Sequence, residues 1–390
     1  MYWVGGNDRR KALFESVYPI PRGVSYNSYL VLDEKTVLLD TVDKEVSDVF
    51  LDGVEHLLSG RQLDYVIVNH MEPDHAATLG ELVVRHPEVR IVCNAKTADM
   101  IKQFFAFDID SRAHLVKEGD TLCTGRHIFT FVMAPLVHWP EVMVTYDMTE
   151  ETLYSADAFG SFGALNGNIF ADESTPDMSE YRRYYTNIVG KYGVQVKALL
   201  NKAQSLRISM ICPLHGLIWR KDIDNLIQKY AKWSAYELEI KGVLIAYSSV
   251  YGNTQSAAEI VANRLGEQGV KNIQMYDVSV THPSYVVAEA FRYSHIVFAT
   301  TTYNGGIFVT MENLLLDLKA HNLQNRTVAL IENGTWAATA AGQMKNILSS
   351  MKGMNVIANP VTLKSSVKPE KREELIALAD AICETLKKRY

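Results

Sequence analysis

The chain has 390 residues, more than one ordinary core accommodates, so two domains are expected. Its hydrophobic content of 47% and charged content of 22% are typical of globular proteins in water, and its net charge of -6 gives no basis for nucleic-acid binding. No apolar run approaches the roughly 18 residues that span a bilayer, and the N-terminal segment lacks the apolar stretch of a signal peptide. We therefore expect a cytoplasmic protein without a membrane partner.

The four cysteines form no CxxC pair; they are Cys93, Cys123, Cys212 and Cys383. Such scatter favours reduced thiols packed in the core of a cytoplasmic protein. It also argues against a rubredoxin-type or zinc-ribbon module within this chain.

The first 220 or so residues are rich in short strands with helices between them. The pattern predicts a hairpin and then six strands, at 29–32, 36–40, 63–69, 89–93, 127–133, 142–146, 152–155 and 208–211. Helices are predicted at 78–85, 97–105, 177–189 and 194–202. This arrangement indicates two packed sheets with helices outside them, and not one parallel sheet. The polar segment 222–240 is predicted to be a linker helix.

The pattern changes at Lys241. An apolar strand at 242–247 is followed by a glycine-containing loop and a helix at 255–267. Further strands are predicted at 273–278, 295–299 and 327–331, and a last helix at 368–388. This alternation predicts a doubly wound parallel sheet, whose ligands lie beyond the carboxyl ends of the strands. The expected domains are therefore 1–240 and 241–390.

The most informative segment is 70–75, which directly follows the strand predicted to end at Asn69. Four of its six residues can bind a metal: His70, Glu72, Asp74 and His75. A lone histidine at a strand end is usually an ordinary loop residue, but this density of ligand types predicts a metal site. Two imidazoles with two carboxylates suit a hard, redox-active ion such as iron better than a purely zinc-binding site.

Three later side chains lie in loops that also follow strand ends, the usual place for functional groups; they are His138, Asp157 and His215. The order His-x-Glu-x-Asp-His and then His, Asp and His resembles the ligand order of the metallo-β-lactamase fold. Hydrolases of that fold usually have His where Glu72 stands. Glu72, the His-Trp-Pro at His138 and the Asp-Ala-Phe-Gly at Asp157 resemble the flavodiiron proteins.

The resemblance covers essentially the whole chain and implies a fold for each domain. The first would be an αββα metallo-β-lactamase-like sandwich and the second a flavodoxin-like parallel sheet. It also implies two iron ions, one bound by His70, Glu72 and His138, the other by Asp74, His75 and His215, with Asp157 bridging both. In some members the residue that matches His75 does not reach its iron. Each ion would keep open positions that face the other across the bridge, where dioxygen or two nitric oxides can bind.

Several neighbouring residues leave two interpretations open. Trp139 and Phe159 either shape and dry the metal pocket or merely pack beside a rigid loop. Tyr26 is expected in a simple turn, with a contact to the site as the alternative. The other seven histidines are expected to be structural or exposed: His56, His86, His114, His127, His282, His295 and His321.

The second domain carries a candidate phosphate loop between its first strand and first helix, at 247–254. Its hydroxyls and backbone amides, with the helix N-terminus behind them, would bind a phosphate. The loop lacks both GxGxxG and GxxxxGK[ST], which argues against a dinucleotide or a nucleoside triphosphate and suits FMN. Ser249, Gly252, Asn253 and Thr254 resemble the flavodoxin phosphate loop.

Two further loops, 300–306 and 332–337, place glycine and an aromatic residue after a strand, where an isoalloxazine ring could stack. The candidate FMN-binding residues are Ser249, Val250, Tyr251, Gly252, Asn253, Thr254, Thr301, Thr302, Tyr303, Asn304, Gly305, Asn333, Gly334, Thr335, Trp336 and Ala337.

The resemblance implies an oxidoreductase that reduces dioxygen to water, nitric oxide to nitrous oxide, or both. Two ferrous ions and one reduced flavin together supply the four electrons that dioxygen needs. A head-to-tail homodimer, or a dimer of such dimers, would pair one subunit's flavin with its partner's irons. The electron donor would be a separate rubredoxin or a reduced deazaflavin. Two alternatives remain: a zinc hydrolase with an accessory flavodoxin domain, and an electron carrier whose first domain is structural.

Overall fold

The structure is a computed structural model that describes residues 1–388, and it divides into two compact units. The first unit is Met1–Ala231, and the second begins at Lys232. The segment predicted as a linker helix at 222–240 is helical only over Ile223–Ser234, and a strand begins at Ile240.

The first unit contains fifteen short strands among the described residues, numbered in chain order: β1 Tyr2–Trp3, β2 Gly6–Asp8, β3 Leu13–Phe14, β4 Tyr18–Pro19, β5 Val24–Tyr26, β6 Tyr29–Val31, β7 Val37–Leu39, β8 Tyr65–Ile67, β9 Arg90–Cys93, β10 Ala113–Leu115, β11 Thr121–Cys123, β12 Ile128–Met133, β13 Met143–Asp147, β14 Thr152–Tyr154 and β15 Met210–Cys212. Its α-helices are α1 Ser47–Leu58, α2 Pro73–Ala76, α3 Leu79–Arg85, α4 Ala95–Phe104, α5 Met178–Tyr184 and α6 Gly193–Ala203. A further helix, α7 Ile223–Ser234, begins in this unit and ends in the second. A π-helical turn, Tyr185–Val189, continues α5.

Two main sheets form the centre of this unit, in the orders β1-β6-β7-β8-β9-β10 and β11-β12-β13-β14-β15. Apolar side chains of both sheets meet in one buried cluster, with Val31, Leu39 and Val92 from the first and Phe129 and Tyr154 from the second. The predicted αββα sandwich is therefore confirmed. Sheets of this kind are stabilised by removing such side chains from water, at about 25 cal/mol for each Å² buried.

Parallel pairing determines where the functional loops lie. Strands β7, β8 and β9 run parallel, so the loops that follow them leave from one edge of the first sheet. In the second sheet β14 and β15 are also parallel, and Leu214 N–H donates to the Ala156 carbonyl just beyond their carboxyl ends. The sheets are joined at this edge by Asn69, which accepts a hydrogen bond from the Thr145 hydroxyl at 2.7 Å.

The second unit contains β16 Ile240–Tyr247, β17 Ile273–Asp277, β18 Tyr293–Tyr303, β19 Gly306–Ile307, β20 Thr327–Asn333, β21 Asn355–Val356 and β22 Val361–Leu363. Its helices are α8 Asn253–Glu267, α9 Pro283–Arg292, α10 Val309–Ala320, α11 Ala340–Ser349 and α12 Pro369–Lys388. The parallel sheet has the order β17-β16-β18-β20, and β20 pairs on with β21 and β22.

Alternate residues of β16 show that this sheet is covered on both faces. Val243 and Ile245 lie in a buried cluster with residues of α8 and α12. Leu244 and Ala246 lie in a second cluster with residues of α9 and α10. Because successive side chains of a strand point to opposite faces, two such clusters require helices on both sides. The predicted doubly wound sheet is confirmed.

Three sequence-based expectations were wrong in detail. Cys123 is exposed, because it stands at the end of an edge strand of the second sheet and not in the core. Tyr26 belongs to strand β5 and is fully buried, so it is not a turn residue. Strand β18 continues four residues beyond its predicted end at Ala299, to Tyr303, where it forms a hairpin with β19. Within residues 1–388, no helix is both long and apolar enough to cross a membrane.

Candidate metal centre and flavin site

The seven predicted metal ligands come together in the first unit, and every one of them is buried. They form two groups, in each of which the candidate ligand atoms lie within 4.8 Å of one another: His70, Glu72, His138 and Asp157 in the first, and Asp74, His75 and His215 in the second. Elements from both sheets supply them, since the ligands follow β8, β12, β14 and β15. Folding of the sandwich thus assembles side chains that lie up to 145 residues apart (215 - 70).

Asp157 presents a different oxygen to each group. Its Oδ2 lies 3.0 Å from His138 Nε2 and 3.5 Å from His70 Nε2. Its Oδ1 lies 3.1 Å from His75 Nε2 and 3.6 Å from His215 Nε2. A carboxylate held in this way can bridge two ions that lie side by side.

His75 takes part in the second group. Its Nε2 lies 3.0 Å from His215 Nε2 and 3.3 Å from Asp74 Oδ2. The same Asp74 oxygen lies 3.2 Å from His215 Nε2. The imidazole of His75 therefore points at the same centre as its neighbours.

Several buried atoms of the site lack a hydrogen bond within residues 1–388. Both carboxylate oxygens of Asp74 and Oδ1 of Asp157 are in this state, although such groups are expensive to bury without partners. A cation between them would satisfy these oxygens. The donor set of imidazoles and carboxylates is also that of non-haem iron sites, so the residues fit a pair of iron ions.

The electrostatics of the site favour positive charge. Burial alone would lower the pKa of His138, but its hydrogen bonds to Asp157 and Glu72 raise it to about 9. Burial alone would raise the pKa of Asp157, yet the neighbouring His75 and His138 hold it well below its usual range. The buried carboxylates thus favour positive charge on or between these side chains, which bound metal ions would supply.

Two of the imidazoles are oriented by hydrogen bonds to Nδ1, the ring nitrogen that faces away from the metal position. His70 Nδ1 donates to Glu141 Oε1 at 2.8 Å, and the same oxygen accepts from Met71 N–H at 2.9 Å. His215 Nδ1 donates to the Ser25 carbonyl at 2.7 Å. Each bond engages Nδ1 and turns Nε2 towards the metal position, so that Nε2 is the nitrogen available to a metal ion.

Rings of aromatic side chains enclose the site. Trp139 packs edge-on against His70, with ring centroids 5.4 Å apart, and Phe14 does the same to His215 at 5.3 Å. Tyr26 lies edge-on to both His75 and His215. Phe159 instead packs on Tyr230, which also accepts its backbone N–H. The rings limit the access of water to the ligands.

Glu15 is a carboxylate that no sequence pattern singles out. It lies on the turn between β3 and β4, close enough to Glu72 to be affected by its charge, although the residue as a whole is exposed. Desolvation of its carboxyl group and the charge of Glu72 raise the pKa of Glu15 to about 8. Glu15 therefore holds a proton at neutral pH beside a predicted metal ligand. Glu141 and Ser25 were also missed, and only the position of Glu141 three residues after His138 hinted at a role.

The three candidate flavin loops lie at one edge of the second sheet, because β16, β18 and β20 are parallel neighbours. Gly252 precedes α8 with a φ of +88°, and its N–H donates to the Ser249 hydroxyl. Nothing lies within 4 Å of a Cβ built on Gly252, so this open turn leads directly to the N-terminus of a 15-residue helix. Such a turn suits a phosphate group.

Large aromatic side chains stand exposed in the same loops. Tyr251 is 91% and Trp336 92% exposed, and Tyr303 is half exposed. Aromatic surfaces that remain uncovered beside a glycine-rich loop fit an isoalloxazine ring. The loops therefore provide both a phosphate cradle and flat surfaces for stacking.

The side chains of some predicted flavin-binding residues form hydrogen bonds with other residues of the protein. The Thr302 hydroxyl accepts from the N–H groups of Thr339 and Ala340 at the start of α11. The Asn333 side chain pairs with the backbone of Ser365, on a fourth loop that follows β22 and was not predicted. These residues shape the loops, and only their backbones remain available to a ligand.

Fold and site together define a metal-binding flavoprotein of two domains. A family model described as ODP family beta lactamase matches residues 24–216, and a flavodoxin model matches residues 245–377. The chain is 30% identical over 365 residues to a nitric oxide reductase of Moorella thermoacetica. The aligned region covers 92% of this chain and 90% of that protein. It is 29% identical to an anaerobic nitric oxide reductase flavorubredoxin of Aeromonas hydrophila, over 95% of this chain and 75% of that one.

The structure is also similar to that of the rubredoxin oxygen:oxidoreductase of Desulfovibrio gigas. The TM-score is 0.92 with 28% sequence identity, and the match covers 99% of this chain and 96% of that chain. The chain belongs to the flavodiiron protein family, whose cofactors are a diiron centre and FMN. It is accordingly an oxidoreductase, and the predicted resemblance is confirmed.

Proposed function

We propose that this protein reduces dioxygen to water, nitric oxide to nitrous oxide, or both, at two iron ions that receive electrons from FMN. The observation that carries the proposal is the position of Asp157, which presents one carboxylate oxygen to each of two buried ligand groups. Glu72, in a position usually occupied by histidine in hydrolases of this fold, supports iron over zinc.

We further propose the role of each ligand. One ion is bound by His70, Glu72 and His138, the other by Asp74, His75 and His215, and Asp157 bridges them. The position of His75 Nε2 beside Asp74 and His215 supports its inclusion as a direct ligand. Loops 249–254, 301–305 and 333–337 would bind FMN.

The chain's own residues prepare the site for gas reduction. When bound, two ferrous ions and a reduced flavin supply the four electrons that dioxygen requires, whereas two nitric oxides require two. Glu141 and the Ser25 carbonyl orient two of the imidazoles, and Trp139 and Phe14 limit the entry of water. The Glu15 carboxyl group lies near Glu72 and would be available there as a proton donor.

The partners proposed are a separate rubredoxin or a reduced deazaflavin as electron donor, and a second copy of this chain in a head-to-tail dimer. The similar protein of Desulfovibrio gigas is a rubredoxin oxygen:oxidoreductase, which supports rubredoxin as the donor. The dimer would bring each flavin close to the irons of the other subunit. We propose a cytoplasmic location.

The proposal is tested with protein whose iron, zinc and FMN contents have been measured. The protein is reduced without oxygen, and the consumption of each gas is then followed with a gas-specific electrode. We expect two irons and one FMN for each chain, and turnover of at least one gas that is lost in Asp157→Ala while FMN remains bound. Zinc in place of iron, with hydrolysis of a lactam or ester, would contradict the proposal and favour the hydrolase.

A further inference from the structure

An apolar cavity of about 270 Å³ lies in the first unit, between the second sheet and the helices α6 and α7. Its walls are formed by aliphatic side chains from both layers, including Val144, Leu153, Leu199 and Leu200. The exposed residues Gln204 and Asp224 stand at its rim. The cavity is thus buried at one end and reaches the surface at the other.

The buried end lies against the turn that presents Asp157. Ser155 and Phe159 both line the cavity, and Asp157 stands midway between them in the chain. The turn is tight, because the Ser155 hydroxyl donates to the Ala158 carbonyl at 2.7 Å and Ala158 N–H donates to the Ser155 carbonyl at 3.1 Å. The cavity therefore borders the turn that carries Asp157.

The lining selects for small apolar ligands. Ser155 is the only buried polar residue among the described residues that line the cavity, and its hydroxyl is already engaged. A polar ligand would lose its hydrogen bonds with water and gain none in return. Apolar cavities of this kind stay dry and accept ligands such as xenon. By contrast, a second cavity at the following loop is lined by Arg9, Arg22 and Asp177 and is suited to water.

We propose that the apolar cavity holds the gaseous substrate, dioxygen or nitric oxide, directly behind the metal centre. This inference rests on the proposed function. Both gases are small and form weak hydrogen bonds at best, so they leave water readily for an apolar space. The cavity would raise the local concentration of the gas beside the Asp157 turn.

The first test uses xenon, which reports on the cavity without any turnover. Crystals of the holoprotein are pressurised with xenon, and its position is located by anomalous scattering. We expect xenon between Phe159 and Leu199 in the wild type. It should be absent from Ala203→Phe, which fills the cavity from the end of α6, and present in Ala198→Phe, which lies exposed on the same helix. An empty wild-type cavity would overturn the proposal.

The second test is kinetic. In Ala203→Phe we expect a several-fold fall in kcat/KM for the gas, with kcat at saturating gas, iron content and FMN content retained, while Ala198→Phe matches the wild type. Xenon binding with an unchanged kcat/KM would overturn the role in substrate supply. If Ala203→Phe fails to fold, Ile227→Phe fills the cavity from α7 instead. A wild type that consumes neither gas contradicts the proposed function, whereas the xenon result separately decides whether the cavity accepts an apolar gas.

Discussion

Glu141 offers the sharpest test of how the first metal position is held. Its carboxylate is buried and accepts two hydrogen bonds, from His70 Nδ1 and from Met71 N–H. The bond to the imidazole orients the ring and makes Nε2 a stronger ligand. Removing this acceptor should therefore weaken iron binding, even though Glu141 itself is 71 residues from His70 and is not a predicted ligand.

The size of the effect follows from the kind of bond that is lost. A hydrogen bond to a charged group contributes about 1.5–3 kcal/mol and a neutral one about 0.5–1.5 kcal/mol. Glu141→Gln keeps a neutral acceptor, so we expect a loss of about 1 kcal/mol, which is somewhat less than tenfold in iron affinity. Glu141→Ala leaves both donors buried without a partner, and we expect a loss of about 10–100-fold.

The assay is competition with a chelator under anaerobic conditions, with iron measured after each step. Asp147→Asn is the matched control, because Asp147 is also buried and also accepts from an imidazole, His127 Nδ1, at 2.6 Å. Neither residue of that pair is a predicted ligand, so this variant should lose stability but keep its iron. The reasoning fails if folded Glu141→Ala retains both irons with wild-type affinity, or if Asp147→Asn loses iron equally.

Three further predictions concern the pH dependence of the metal site and the binding of flavin. Although burial alone would lower the pKa of His138, two carboxylates raise it to about 9, so a metal must displace this proton at neutral pH. Affinity for ferrous iron should increase from about pH 7 to about pH 9, while proton release, followed with an indicator dye, decreases; an affinity independent of pH would contradict this. Gly252→Ala should weaken FMN binding in a fluorescence titration. Gly269 is the control, because it has a similar φ of +82° but lies after α8. Gly269→Ala should lower the free energy of unfolding by about 1–3 kcal/mol without any effect on FMN binding. Trp336→Ala should leave the thermal midpoint of unfolding unchanged, because the side chain is 92% exposed. It should weaken FMN binding by about 0.5–1.5 kcal/mol. An FMN affinity equal to that of the wild type would exclude stacking of the flavin on this ring.

The sequence was sufficient to select the candidate metal ligands that the fold brings together, because they follow strand ends. His70 and Asp157 come after short buried strands, and parallel neighbours bring such positions to one edge of a sheet. The two-sided core of the second unit was predictable for a related reason, since the continuous apolar run of β16 is typical of a strand covered on both faces.

The supporting contacts could not be predicted in the same way. Ser25 contributes a backbone carbonyl, which any residue could provide, so its identity carries no signal. Glu15 reaches Glu72 from a hairpin more than 50 residues earlier in the chain, and no local pattern specifies that approach. Thr302 matched the expected flavin loop, but whether its hydroxyl faces a ligand or caps α11 depends on tertiary packing.

The imidazoles at the two metal positions differ in the hydrogen bonds that their Nδ1 atoms make. This difference bears on whether His75 is a ligand and on which ion is lost first. His70 is backed by the charged Glu141, and His215 only by the neutral Ser25 carbonyl. His75 Nδ1 has no hydrogen-bond partner among the described residues, although it is buried. An imidazole without such a partner is a weaker ligand. The position formed by Asp74, His75 and His215 should therefore hold its ion less firmly, and loss of His75 should affect that ion alone. Because Asp157 lies beside imidazoles of both groups, we expect its place between the two groups to persist when His75 is lost.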